Sequence, residues 1–269
     1  MRRKLITSKY YLNSSPKLKL ALVTDLHEQN PDQILKKLSL SKPDLILVAG
    51  DTMERHEPGH GCTMEEIDSY QTLSPNWTRF CNLLKGFHIF LRSLRLPVKE
   101  DARYAHKFLA GASKIAPVYL SKGNHEWYFL PEDYAFMKKH HITILDNADC
   151  EVTIKNHFLR IGGLSTKHDI SWLKEYGKKD GMKILLCHHP EYYPRFILND
   201  GDPFDLVLSG HVHGGQWRIF GHGILAPGQG FLPIYHHGRY GKMIVSAGSA
   251  NPSILPRFGN PTELVFIYL

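Results

Sequence analysis

Residues 17–27 read KLKLALVTDLH, and residues 45–51 read LILVAGD. The first stretch alternates and then turns wholly apolar, which predicts a strand passing into a buried sheet. It ends at once in Asp25-Leu26-His27. The second is apolar from Leu45 to Ala49 and ends in Gly50-Asp51. Between them Asn30-Pro31 marks a helix start, with Asn as N-cap and Pro in the first turn. Ile34, Leu35 and Leu38 give that helix one apolar face. Strand, helix, strand, with a chemically loaded residue at the C-terminal end of each strand, predicts an α/β fold. In such folds ligand sites form where the loops leave that edge of the sheet.

The same grammar recurs downstream. A strand over Val118 to Leu120 leads into Gly123-Asn124-His125-Glu126. One over Lys183 to Cys187 ends in His188-His189-Pro190, and one over Asp205 to Ser209 ends in Gly210-His211-Val212-His213-Gly214-Gly215-Gln216. Helices are expected near Ala102 to Lys114 and from Pro131. Short strands at Thr143 to Leu145, Cys150 to Ile154 and Phe158 to Ile161 are expected to be antiparallel, and two last strands cover Met243 to Ser246 and Glu263 to Tyr268. Residues 53–97 break the pattern. Ser74-Pro75 can cap a helix there, and Trp77, Phe80, Leu84, Phe87, Leu91 and Leu94 recur at helical spacing. This stretch is expected to be a helical insertion in a single domain covering residues 1–269.

The chain has 269 residues, of which 42% are hydrophobic and 22% charged; this is globular composition and excludes a disordered or collagen-like chain. Lys plus Arg is 33 against 26 Asp plus Glu, a net charge of +7 that suits an anionic ligand such as phosphate. No Lys/Arg stripe with interleaved aromatics is evident, so nucleic acid is not favoured. Four cysteines without a CxxC pair point to reduced thiols. No apolar run approaches the ~20 residues of a membrane span. The basic start Met1-Arg2-Arg3-Lys4 lacks the apolar stretch of a secretory signal. The expectation is a cytoplasmic chain, at most in weak contact with an anionic membrane surface, and no protein partner is indicated.

The 17 histidines are the compositional oddity, because imidazole is the commonest metal ligand. Five strand ends carry ligand-type residues: Asp25 and His27; Asp51; Asn124 and His125; His188; His211 and His213. Residues two apart in an extended chain point the same way, which pairs Asp25 with His27 and His211 with His213. Carboxylates, an amide and imidazoles are hard-to-borderline donors suited to Mn, Fe or Zn. Seven such ligands with one carboxylate shared make the inventory of a two-metal centre. Buried without a cation, so many charged groups would be costly.

With these motifs the chain resembles a calcineurin-type metallophosphoesterase, in particular the YkuE/YaeI-like phosphodiesterase branch. The tail Leu255-Pro256-Arg257-Phe258-Gly259, then Pro261-Thr262-Glu263-Leu264, resembles that branch as well. The resemblance implies a four-layer α/β/β/α sandwich with two divalent metal ions at the sheet edge. It implies Asp25, His27 and His213 at the first metal, Asp51 bridging, and Asn124, His188 and His211 at the second. His125 becomes the candidate general acid, since it cannot easily point at the same metal as its neighbour Asn124. His188 and His189 remain interchangeable by a one-residue slip. Glu126 either orients His125 or caps the following helix. Glu28-Gln29 stand where the family often has Gly, which places a carboxylate near the expected site mouth.

The expected reaction is hydrolysis of a phosphodiester or pyrophosphate by a metal-activated hydroxide, with His125 protonating the leaving group. Two alternatives stand beside it. One is a lipid nucleotide pyrophosphatase of the UDP-2,3-diacylglucosamine type, in which the Trp77–Leu94 stripe receives acyl chains. The other is a non-catalytic scaffold on the same fold.

Overall fold

The computed structural model describes residues 5–55, 101–251 and 256–269, so the expected helix from Ser74 and its apolar stripe lie outside the described residues. Two six-stranded sheets carry the fold. The first runs in the order β1 (Leu5–Tyr11), β16 (Thr262–Tyr268), β2 (Lys19–Val23), β3 (Leu45–Ala49), β4 (Val118–Ser121), β5 (Ile142–Leu145). Strands β2 to β5 are mutually parallel, and β16 runs antiparallel to β2. The second runs β14 (Gly238–Tyr240), β15 (Met243–Val245), β9 (Leu206–Ser209), β8 (Met182–Cys187), β7 (His157–Leu164), β6 (Ala148–Ile154), with β7, β8, β9 and β15 parallel. Two short hairpins, β10–β11 (Arg218–Ile219 with His222–Gly223) and β12–β13 (Leu225–Ala226 with Gly230–Phe231), follow β9.

Strand periodicity builds three apolar layers. In β3, Leu45, Leu47 and Ala49 face the second sheet, where they meet Ile184, Leu186, Leu208 and Ile244. The intervening Ile46 and Val48 face the opposite way, onto α1 (Asp32–Ser41), α2 (Arg103–Ser113) and α3 (Pro131–Lys139) through Ile34, Leu38, Phe108, Leu109 and Met137. In β8 the alternation repeats: Leu185 and Cys187 pack outward against Leu173 and Tyr176 of α4 (Ile170–Lys178). All five residues of β3 are fully buried, because both faces of a parallel strand are covered. The result is a four-layer α/β/β/α sandwich.

Three local expectations change. The Thr143 to Leu145 strand is parallel to β4, not antiparallel, because the chain reaches it through the crossover helix α3. β6 and β7 are antiparallel as expected. Leu5–Tyr11, read from sequence only for its lack of a secretory signal, is an edge strand parallel to β16. Helix α1 begins one residue after Pro31, and the Asn30 side chain accepts from Asp32 N at 2.9 Å. Among the described residues no helix is long and apolar enough to cross a membrane.

A buried ion pair fastens the loop after β3 to α3. Arg55 donates from Nε and Nη2 to Asp133 at 2.7 and 2.8 Å, His106 Nε2 lies 3.1 Å from the same carboxylate, and Leu130 N donates to it at 3.0 Å. Burial alone would raise the Asp133 carboxyl, but the His106 and Arg55 hydrogen bonds hold it well below the usual range. A carboxyl whose folded pKa is depressed stabilises the fold fully above its unfolded value, about 4, and loses that contribution as pH falls through the folded value. Asp133→Asn is therefore expected to cost about 3 kcal/mol at pH 7, since it strands the Arg55 charge. The gap to the parent should begin to narrow below about pH 4, where the carboxyl protonates in the unfolded chain, and should close as pH falls through the depressed folded value. Urea melts at pH 7 and pH 3 measure both.

Candidate metal centre

The loops leaving the C-terminal ends of β2, β3, β4, β8 and β9 meet at one edge shared by the two sheets. Backbone bonds tie them together. Asp25 N donates to Gly50 O at 3.1 Å, His27 N to Asp51 O at 3.0 Å, and Gly210 N to His188 O at 3.0 Å. Carboxylates extend the lacing. Asp25 Oδ1 accepts from His211 N at 3.0 Å, and Asp51 Oδ1 accepts from His125 N at 2.9 Å. Asp51 thus spends one oxygen on the next loop and turns the other toward the shared space, whereas Asp25 Oδ1 both accepts from the His211 backbone and lies 3.9 Å from His27 Nε2 and from His213 Nε2.

Two groups of donors converge there. Asp25, His27 and His213 form one, with donor atoms all within 4.8 Å of one another; Asp51, His188 and His211 form the second. Asp51 Oδ2 faces both, 3.1 Å from His188 Nε2 and 3.6 Å from His27 Nε2. Asn124 Oδ1 joins the second group, 2.9 Å from His211 Nδ1 and 3.2 Å from His188 Nε2. His125 sits at the rim of the first, with Nε2 3.9 Å from Asp51 Oδ2. His188 is the histidine of its pair that reaches this space. His189 turns away to Thr166 Oγ1 at 2.9 Å and Glu191 Oε1 at 3.2 Å. Buried His27 Nε2, which faces this space beside Asp51, has no hydrogen-bond partner among the described residues. Buried polar atoms are rarely left so, and the two donor groups suit divalent cations.

Backbone strain concentrates in the same place. Asp25, His27, Asp51, His211 and His213 all have positive φ, between 46° and 70°, a region costly for residues with a Cβ. Neighbouring glycines make room. A Cβ on Gly50, whose φ is +81°, would lie 2.6 Å from His188 Nδ1, and one on Gly210 would lie 2.6 Å from Asp25 Oδ2. The turn at Gly214 and Gly215 is held by Asn260, whose Nδ2 donates to His213 O at 2.7 Å and to Gln216 O at 3.1 Å.

Electrostatics follow from this packing. Burial alone would raise the Asp51 carboxyl, but the charges of His188, His125 and His27 hold it well below the usual range. Burial works against the His188 imidazolium, yet Asp51 pushes its pKa up to about 10; the same opposition, with Glu54 added, puts His125 at about 9. Burial and neighbouring cationic groups drive His211 and His213 well below the ordinary histidine value, so both offer neutral lone pairs.

Sequence reasoning missed Glu54. Its Oε2 lies 2.7 Å from His125 Nδ1 and its Oε1 lies 3.1 Å from His27 Nδ1, so one carboxylate orients two rings. Its only signal was an acid three residues after Asp51. The Glu126 carboxylate hydrogen-bonds neither to the His125 ring nor to a helix N-terminus. It accepts from Asp51 N and Gly123 N at 2.8 Å, from Met53 N at 3.0 Å, and from Thr52 N. It therefore holds the Asp51 loop against the Gly123 turn. Glu28, expected near the site mouth, instead accepts from Tyr104 N at 2.8 Å and Ala105 N at 3.0 Å, at the N-terminus of α2. Cys187 is strand filler, fully buried and donating to His189 O.

A Cβ on Gly123 would lie 2.6 Å from Asp51 N and would also meet Asp51 Oδ1. Gly123→Ala is expected to destabilise the chain by roughly 1–3 kcal/mol through overpacking. A thermal melt of the metal-free protein measures it.

A model of the calcineurin-like phosphoesterase family matches residues 18–215. An uncharacterized metallophosphoesterase of Campylobacter jejuni is 27% identical over 96% of this chain and 60% of its own length. An uncharacterized protein of Bacillus subtilis, YpbG, is 23% identical over 77% of this chain and 66% of its own length. The chain thus spans about three-fifths to two-thirds of the length of these relatives. A 5'-nucleotidase precursor of Thermus thermophilus aligns in three dimensions over 76% of this chain and 43% of its own, with a TM-score of 0.43 and 12% identity. The family match covers all five strand ends that carry the candidate donors, through Gly215, and on that match the chain belongs to the calcineurin-like phosphoesterase family.

Proposed function

We propose that the chain is a single metallophosphoesterase domain that hydrolyses a phosphodiester or a pyrophosphate linkage. Asp25, His27 and His213 would hold one divalent ion, Asn124, His188 and His211 a second, and Asp51 would be shared. The observation that carries this reading is the pair of donor groups facing one Asp51 oxygen, with the buried His27 Nε2 beside it left unpartnered. When bound, two ions of the Mn, Fe or Zn type supply positive charge to the phosphoryl oxygens and make water nucleophilic near neutral pH.

The chain's own residues position and protonate. The Asn124 amide adds an oxygen donor without adding negative charge, which keeps the site attractive to a phosphate. Glu54 holds His125 through Nδ1, so His125 Nε2 faces the space beside Asp51. From there it delivers a proton to the leaving oxygen, and the Glu54 carboxylate stabilises the imidazolium that does so. The Gly210–Gln216 motif and the tail from Leu255 support placing the chain in the YkuE/YaeI-like phosphodiesterase branch.

Two substitutions test this with manganese added. Asp51→Asn is expected to reduce hydrolysis of an aryl phosphodiester by more than about 100-fold, and equal rates for parent and variant would end the proposal. His125→Ala should cost roughly 10²–10⁴-fold with a poor alkoxide leaving group. It should cost far less with p-nitrophenolate, which leaves without a proton. Equal losses for both substrates would remove His125 from the acid role.

A further inference from the structure

A second carboxylate, Glu191, lies behind the second donor group as Glu54 lies behind the first. His211 turns Nδ1 toward Asn124 Oδ1 at 2.9 Å, inside that group. Its Nε2 points the other way, is buried, has no hydrogen-bond partner, and lies 3.8 Å from Glu191 Oε1. His211 itself is only 2% exposed, so no bulk water serves that nitrogen. A ring that offers a lone pair from Nδ1 carries its proton on Nε2, and a buried N–H of this kind needs an acceptor.

The surroundings aim the carboxylate at that proton. Thr166 Oγ1 is 2.9 Å from His189 Nε2, and His189 Nδ1 is 3.2 Å from Glu191 Oε1. Thr166 donating to Nε2 leaves the His189 proton on Nδ1, directed at Glu191. The His189 and His211 rings pack 4.2 Å apart between centroids, which fixes their planes. The turn at Gly228, with φ +71°, presses on the carboxylate from outside: a Cβ there would lie 2.8 Å from Glu191 Cδ. Thr166, His189 and Glu191 thus form one hydrogen-bonded chain that ends beside the His211 Nε2 proton.

We infer that Glu191 is a positioning residue for the second ion: it accepts the His211 Nε2 proton, and so fixes the ring with Nδ1 as the ligand atom. This rests on the two-ion reading above. The donors of His189, Glu191 and His211 also lie within 4.8 Å of one another. A third ion there would need the His211 nitrogen that carries the proton, so the cluster acts as a hydrogen-bonded support instead.

Manganese binding to the full chain tests it, read by calorimetry and by metal analysis after equilibrium dialysis. The parent should take two ions. Glu191→Gln should weaken the second by roughly 10–100-fold, leave the first within about twofold, and leave the melting temperature of the metal-free protein unchanged. The exchange-coupled resonance of a manganese pair should then appear only at higher manganese. Glu191→Asp keeps the charge but draws it back, and should weaken the same ion less; it serves should the Gln variant not fold. Unchanged second-ion affinity in a two-ion parent would overturn this inference alone. Three ions in the parent falling to two would overturn it by making Glu191 a ligand. A parent that takes up no manganese would overturn the two-ion reading and this inference together.

Discussion

The structure turns on a buried carboxylate, Asp51, set among imidazoles at an edge that two sheets share. A carboxylate with no solvent exposure is costly unless it is paired and hydrogen-bonded. Asp51 meets that condition with one oxygen on the His125 backbone and the other against His188 and His27. Asp25 repeats the device with the His211 backbone. Every loop that carries a donor is thereby tied to a neighbour through an acid. The sandwich supplies rigid strand ends, and the acids set the spacing between them.

Around this pair the chain departs from what its backbone would prefer. Five donor residues hold positive φ without being glycine, while Gly50, Gly123 and Gly210 leave gaps that a methyl group would close. Each such residue costs on the order of 1–3 kcal/mol, and such strain clusters at functional sites. The three apolar layers offset it, since the strands behind the site are buried on both faces.

A further ring of acids gives the centre its orientation. Glu54 holds His27 and His125, and Glu126 gathers four backbone N–H groups of the Asp51 and Gly123 turns. Glu191 is held by His189 beside His211. The Arg55–Asp133 pair extends this outward, because it fastens to α3 the residue that follows Glu54. Carboxylates thus stand behind imidazoles of both donor groups.

Much of this was legible in the primary structure because its signals are local. Apolar runs that stop at an acid or a histidine mark strand ends, and an unbroken apolar run such as Leu45 to Ala49 is enough to place both strand faces in cores. The candidate donors could be named for the same reason, each lying within a few residues of a strand. What tertiary contact alone decided has no local signature. Glu54, Glu126 and Glu191 differ only in which loop lies opposite, so one orients rings, one gathers backbone donors and one backs His211. Glu28, read from sequence as lying near the site mouth, serves the N-terminus of α2, and His188 rather than its neighbour reaches Asp51, because the strand's pleat and the turn after it set which way each side chain leaves the chain. Residue type and spacing are properties of the chain; the partner of a buried acid is a property of packing between segments far apart in sequence.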